Sequence, residues 1–246
     1  MRKEATDLTI MILIRTDSIA RLENVTAVIQ HLQRSLNTRI CLREADCYCN
    51  GILQSALNTC IDYEFIEDDD PILYKTWHFN KMMTHADTPF VAIWDADTIA
   101  GSEAIGQCLD QLRKQNADMA LPYNGVCLDT SNILRALYLK KQDEEVLMQN
   151  IGKMERLSER VMTGGAVMMN RQKFIEIGGE NEAYYGWGDD DYDRYIRFMN
   201  HGLKIYRTRN VLFHLSHPRG MNSGFNTELH SRISKGQLYK TQNMMP

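Results

Sequence analysis

The stretch PFVAIWDADT, residues 89–98, decides the fold. Five apolar residues in a row, Phe90–Trp94, suit a strand buried on both faces, and such strands belong to parallel sheets. The run stops abruptly at two carboxylates, Asp95 and Asp97. In an open parallel sheet, ligands collect at the carboxyl ends of the strands. Residues two apart on an extended chain point the same way, so both acids can face one ligand. Hard oxygen ligands of this kind hold Mg²⁺ or Mn²⁺. The competing reading is that Asp97 and Thr98 merely cap the next helix.

The neighbouring pattern repeats this alternation. LTIMILI at 8–14 reads as a second buried strand, followed by RTDS and a helix from about Ile19 to Leu36. In that helix Leu22, Val25, Ile29 and Leu32 recur at helical spacing. Strands are expected at 39–44, 61–67 and 117–123, and helices at about 74–86 and 102–115. Alternation of this kind predicts an α/β chain with one mostly parallel, Rossmann-like central sheet and flanking helices. The charged segment 131–160 reads as an insertion or a connecting helix pair. TGGAVMMN at 163–170 is a further strand. DDDYDRYIRFMNHG is a helix beginning near Asp190, expected to bury Tyr192, Tyr195, Ile196 and Met199, with Gly202 at its stop. The tail 219–246 is polar and expected to be mobile.

The chain has 246 residues and a formal charge of −4. That length fits one domain, and the acidic balance gives no sign of a nucleic-acid partner. The six cysteines, Cys41, Cys47, Cys49, Cys60, Cys108 and Cys127, form no CxxC pair; reduced thiols in a cytoplasmic protein are expected. No run is long enough to cross a bilayer, and no secretory signal is visible. EDDDP at 67–71 reads as a solvated loop. The paired methionines at 82–83, 168–169 and 244–245 read as core filler and tail. His31, His78, His85 and His230 suggest no partner.

Two further motifs bear on chemistry. VLFHLSHPRG, 211–220, carries His214 and His217. Three residues apart on a strand, they converge only if the chain turns, as Pro218 suggests. Imidazoles with carboxylates suit a borderline divalent ion such as Mn²⁺. YYGWGDDDYD, 184–193, sets an indole between glycines and ahead of three acids. The helix dipole accounts for one or two of those acids. It does not account for GWG, in which the glycines are read as leaving the indole face open to a sugar ring. Gly164-Gly165 is either a plain turn or a close backbone approach to a ligand.

Taken together, GGAVMMNRQKFIEIGGENEAYYGWGDDDYDRYIRFMNHG, WDAD and the terminal histidines resemble the GT-A glycosyltransferases. The closest likeness is to the galactosyltransferase signature group and its bacterial polysaccharide-synthesis relatives. The resemblance spans about 8–218. It implies a UDP-sugar donor, Mn²⁺ or Mg²⁺ on its diphosphate, and a saccharide or lipid-linked saccharide acceptor. Transfer would proceed with inversion, moving galactose, N-acetylgalactosamine or a similar sugar. It implies a nucleotide-sugar half at about 1–125 and an acceptor-binding half at about 160–218. The roles it implies are Asp97, His217, His214 and Asp95 at the metal, and Arg15, Asp17, Arg21, Asn80, Asp95, Gly164 and Gly165 at the donor. Trp187, Gly188 and Asp190 would meet the acceptor, with Asp191 as general base beside Asp190. Here Asp190 stands where the family has Glu, and Asp189 where it has Gly. The lack of an anchor favours the bacterial relatives, at most peripheral to the inner face of the membrane, and 219–235 falls where a lid would be. A nucleotidyltransferase on a similar sheet and an inactive sugar-binding relative are the alternatives. A zinc hydrolase is disfavoured because HxxH is not the helical HExxH spacing.

Overall fold

A computed structural model describes residues 2–57 and 61–243. Cys60 and the methionine pair 244–245 lie outside the described residues. The strands are β1 (Lys3–Ile14), β2 (Leu36–Asp46), β3 (Asp62–Glu67), β4 (Phe90–Asp95), β5 (Thr98–Ala100), β6 (Met119–Leu121), β7 (Cys127–Asp129), β8 (Glu155–Arg156), β9 (Ala166–Asn170), β10 (Ile205–Arg207) and β11 (Leu212–His214). The helices are α1 (Ile19–Ser35), α2 (Ile52–Ala56), α3 (Lys75–His85), α4 (Ser102–Arg113), α5 (Asn132–Lys141), α6 (Glu145–Met148), α7 (Arg171–Glu176), α8 (Asp190–Asn200) and α9 (Glu228–Gln242).

Seven strands form the main sheet in the order β10-β6-β9-β4-β1-β2-β3. All neighbours are parallel except β9, which runs antiparallel to both β4 and β6. The expected fold class therefore holds. Residues 8–14 of β1 are buried throughout, as a strand covered on both faces must be. β4 lies beside β1 in register, Leu13 opposite Asp95, so WDAD emerges at the carboxyl edge of the sheet.

A second, smaller sheet sits at that edge in the order β5-β11-β7-β8. It is built from β5, which directly follows WDAD, from β7 and β8 on either side of residues 130–154, and from β11, which carries His214. In β11, His214 lies opposite Thr98 on one side and Asp129 on the other. The small sheet thereby fixes His214 one residue from Asp97.

Two expectations fail. The buried face of α8 is not Tyr192, Tyr195, Ile196 and Met199: it is Asp190, Asp193, Arg194, Arg197 and Phe198, and Met199 is 56% exposed. Ion pairs reverse the face. Arg194 binds Glu180, and Arg197 binds Asp193 at 2.7 Å, so the charges are buried in pairs. The helix does stop at Gly202, where the Leu203 N–H donates to the Phe198 carbonyl and the Gly202 N–H to that of Met199. The tail is also more ordered than its composition suggests. α9 packs on α8, burying Ser234, Leu238 and Thr241; the Asn200 amide donates to the Thr241 carbonyl at 2.8 Å.

Candidate active site

The carboxyl edge of the sheet carries a cavity of about 340 Å³. Its wall includes Asp95, Asp97, His214 and His217 from the two sheets. Gly164 and Gly165 come from the approach to β9, and Trp187, Gly188, Asp189 and Asp191 from the approach to α8 and its first turn. Four cations join them: Arg21, Lys75, Arg160 and Arg219.

Asp97, His214 and His217 present ligand atoms within 4.8 Å of one another, the one such cluster among the described residues. Each ring is held from behind. The Nδ1–H of His214 donates to Asp129 Oδ1 at 2.7 Å, and that of His217 to the Pro218 carbonyl at 2.9 Å. Both Nε2 atoms then turn toward Asp97 Oδ2, at 3.7 and 3.0 Å. Nitrogen lone pairs facing a carboxylate oxygen require a cation between them, either a proton or a metal ion. Carboxylate and carbonyl acceptors behind ligating histidines are the usual outer support of a metal. Two imidazoles and a carboxylate fit Mn²⁺ better than a purely oxygen-seeking ion. Burial works against the charged form of His214, but Asp129 and Asp97 outweigh it and raise the pKa to about 9. Burial also opposes the Asp97 anion, and the two histidines overcome it, holding that carboxyl far below the usual range. Asp95 has no such partner, and burial lifts it to about 6 against the pull of Lys75.

Asp191 lies across the cavity. Its Oδ1 accepts from the Arg194 guanidinium at 2.9 Å. Arg194 is 1% exposed and also pairs with Glu180 at 2.5 Å. Burial pushes the Asp191 carboxyl up, but Arg194 and Lys75 more than offset it and leave it lowered. Asp190 differs. It is 3% exposed, faces Lys75 at 3.3 Å and does not reach the cavity wall. Burial raises its pKa to about 7. Two adjacent carboxyls are thus driven apart by their surroundings, as in many acid–base sites. Lys75 stays charged because Asp190, Asp191 and Asp95 overcome the cost of its burial.

The glycines have defined jobs. A Cβ on Gly164 would lie 2.6 Å from Asp191 Oδ1 and nearer still to Oδ2 and Cγ, so the carboxylate rests against bare backbone. Gly165 has φ +80° and leaves 2.8 Å between such a Cβ and Leu212. The sequence suggests that Gly186 and Gly188 leave the Trp187 face open. Their missing side chains admit neighbours: a Cβ would meet Ile72 at 2.5 Å and the Ser234 hydroxyl at 2.9 Å. Trp187 is 39% exposed and meets Phe225 edge-on at 4.9 Å.

Besides Asp190, three sequence candidates do not reach the cavity wall. Arg15 donates to the carbonyls of Ala45 and Asp70 and pairs with Asp68 at 2.9 Å. The acidic loop is therefore clamped rather than simply solvated. Asn80 donates to the Glu180 carbonyl and accepts from the Glu180 N–H, fixing the segment that carries Glu180. Asp17 pairs with Arg21 at 3.2 Å, and Arg21 alone of the two lines the cavity. Of the histidines without a suggested partner, His31 donates to the Ala100 carbonyl and His78 faces Asp68. Sequence reasoning missed Lys75, Asp129, Arg160, Glu180 and Arg219. It also missed Arg194, which the i,i+3 spacing from Asp191 could have flagged.

The chain resembles known proteins in part of its sequence and in its fold. A family model described as the N-terminal domain of galactosyltransferase matches residues 151–219, which hold Gly164, Asp191, His214 and His217. β-1,4-galactosyltransferase 4 of Rattus norvegicus is 23% identical over 142 residues, 55% of this chain and 40% of that protein. β-1,4-galactosyltransferase 7 of Drosophila melanogaster is 28% identical over 72 residues, 29% of this chain and 20% of that protein. The chain thus aligns to less than half the length of these relatives. Among solved structures, the catalytic domain of Drosophila β1,4-galactosyltransferase 7 in complex with xylobiose superposes with a TM-score of 0.57 at 13% identity, over 99% of this chain and 82% of that one. Glucosyl-3-phosphoglycerate synthase from Mycobacterium tuberculosis, in complex with Mn²⁺, UDP and phosphoglyceric acid, gives 0.59 at 11%, over 97% and 79%. A mannosyltransferase from Pyrobaculum calidifontis, in complex with GDP-Man and Mn²⁺, gives 0.57 at 14%, over 87% and 58%. The chain has the fold of the GT-A glycosyltransferases, and its residues 151–219 are similar to the galactosyltransferase family model.

Proposed function

We propose that this protein is a metal-dependent, inverting glycosyltransferase that moves a hexose from a UDP-sugar to a saccharide hydroxyl. The observation that carries the reading is the meeting of Asp97, His214 and His217 in one cavity with Asp191 and Trp187. A UDP-sugar brings two negative charges to an acidic protein. Asp97, His214 and His217 would hold Mn²⁺, which when bound neutralises the diphosphate and favours departure of UDP. Arg21 and Arg219 line the same wall and suit the phosphates electrostatically. Trp187 offers a flat surface to the acceptor ring. Asp191, ionised at neutral pH, takes the proton of the acceptor hydroxyl. That oxygen bonds to the anomeric carbon while the bond from this carbon to the UDP oxygen breaks on the opposite face. Arg194 holds Asp191 in place.

The neighbours crystallised with Mn²⁺ and UDP or GDP-Man favour the same ligands here. Galactose or N-acetylgalactosamine as the sugar, and bacterial surface polysaccharide as the product, rest on the sequence resemblance alone. Among the described residues no helix is long and apolar enough to cross a membrane. The test is Asp191→Asn. It should abolish transfer from a UDP-sugar and leave UDP affinity in Mn²⁺ within about twofold. Full transfer by this variant would refute the base assignment.

A further inference from the structure

A second cavity, of about 260 Å³, adjoins the first. Its wall is almost wholly apolar and includes Ile72, Tyr185, Trp187, Leu229 and Ile233. Leu229 and Ile233 sit one turn apart on α9, 66% and 46% exposed. Exposed apolar side chains lining a concave site mark binding surfaces more often than chance contacts. The site is also built. The Tyr185 hydroxyl is fixed on Asp70, and the bare backbone of Gly186 lets Ile72 close the wall.

The two cavities are joined through shared residues. Trp187 lines both. Ser234, in the second, accepts from the Asp189 N–H and donates to the Asp189 carboxylate, which lines the first. The first cavity sets carboxylates and cations beside apolar side chains such as Leu13, Leu73 and Met162. The second offers nothing to a sugar hydroxyl beyond its rim. A molecule that occupies both must be polar at one end and apolar at the other, with Trp187 at the junction.

We propose that the second cavity is an aglycone subsite: it takes an alkyl or aryl group linked through the reducing-end oxygen of the acceptor sugar. This rests on the transferase reading for the identity of the sugar end. The substrate class is then a hydrophobic glycoside rather than a free sugar.

The test is a calorimetric titration of methyl and hexyl β-D-glucopyranoside into the protein saturated with UDP and Mn²⁺. Each methylene buried gains roughly fourfold in affinity, so the hexyl glycoside should bind at least tenfold tighter than the methyl. Leu229→Asp and Ile233→Asp change exposed positions that folding tolerates; each should bring the ratio close to one without altering UDP affinity. Equal affinities in the wild type, or a ratio kept by both variants, would overturn the proposal. So would hexanol binding as tightly as hexyl glucoside. Sedimentation with phosphatidylcholine vesicles, lost in the same variants, would assign the patch to a membrane instead and also overturn it. The UDP titration reads the transferase assignment separately. Its failure beside a persisting hexyl preference would remove that assignment and leave an alkyl-glycoside site.

Discussion

Gly164→Ala tests how closely Asp191 is set. The added methyl carbon would stand 2.6 Å from Asp191 Oδ1, the farthest of three carboxylate atoms within 4 Å. Ordinary van der Waals contact starts at 3.4 Å, so even that atom must retreat by about 0.8 Å. The Gly164 carbonyl is held by the Tyr123 hydroxyl at 2.6 Å, and the Gly165 carbonyl by Thr98 and the Asp95 N–H. The backbone therefore cannot yield, and the side chain must. Arg194 resists on the other side. A misplacement of about 1 Å at a reacting group costs on the order of 100-fold in rate. Transfer kinetics should show kcat/KM down by that order. UDP affinity in Mn²⁺ should change less than twofold, because no atom of Asp97, His214 or His217 lies within 4 Å of the new methyl among its three nearest neighbours. Unchanged kcat/KM in a folded variant would refute the idea that Asp191 works from this position.

Two further predictions concern charge. Asp129→Asn removes the carboxylate behind His214 and should weaken Mn²⁺ binding by about 10- to 100-fold, read by titration of the metal alone. Asp190→Asn addresses stability. The native carboxyl titrates near 7, raised from 3.8 mainly by burial. The folded state therefore binds the extra proton between about pH 4 and 7, and stability from this group falls as pH rises through that window. Thermal melts should show the wild type losing stability relative to Asp190→Asn from pH 4 to 7, and an unchanged difference would refute the burial argument.

The centre of the sheet was legible because residues 8–14 of β1 and 90–94 of β4 are nearly unbroken apolar runs. The cluster of Asp97, His214 and His217 was legible in outline, since the sequence placed both histidines beside Pro218, and His217 does reach Asp97. What escaped the sequence depends on partners far along the chain. Asp129 matters only because β7 lies beside β11. Lys75 matters only because α3 starts beneath α8, where its ammonium meets Asp190. Arg15 and Asn80 looked like ligand contacts from their positions after a strand and in a helix. They are instead fastened to loops, 53 to 100 residues away in sequence, that carry Asp68 and Glu180. The face of α8 was misread because hydrophobicity normally decides which side is buried, whereas here paired charges do.

The central claim is a nucleoside-diphosphate site built on a metal held by Asp97, His214 and His217. Calorimetric titration of UDP, first with Mn²⁺ and then with EDTA, on the wild type and Asp97→Ala, tests it most directly. The account predicts binding that requires both the ion and Asp97. UDP binding that survives EDTA and Asp97→Ala unchanged, or no binding under any condition, would contradict it.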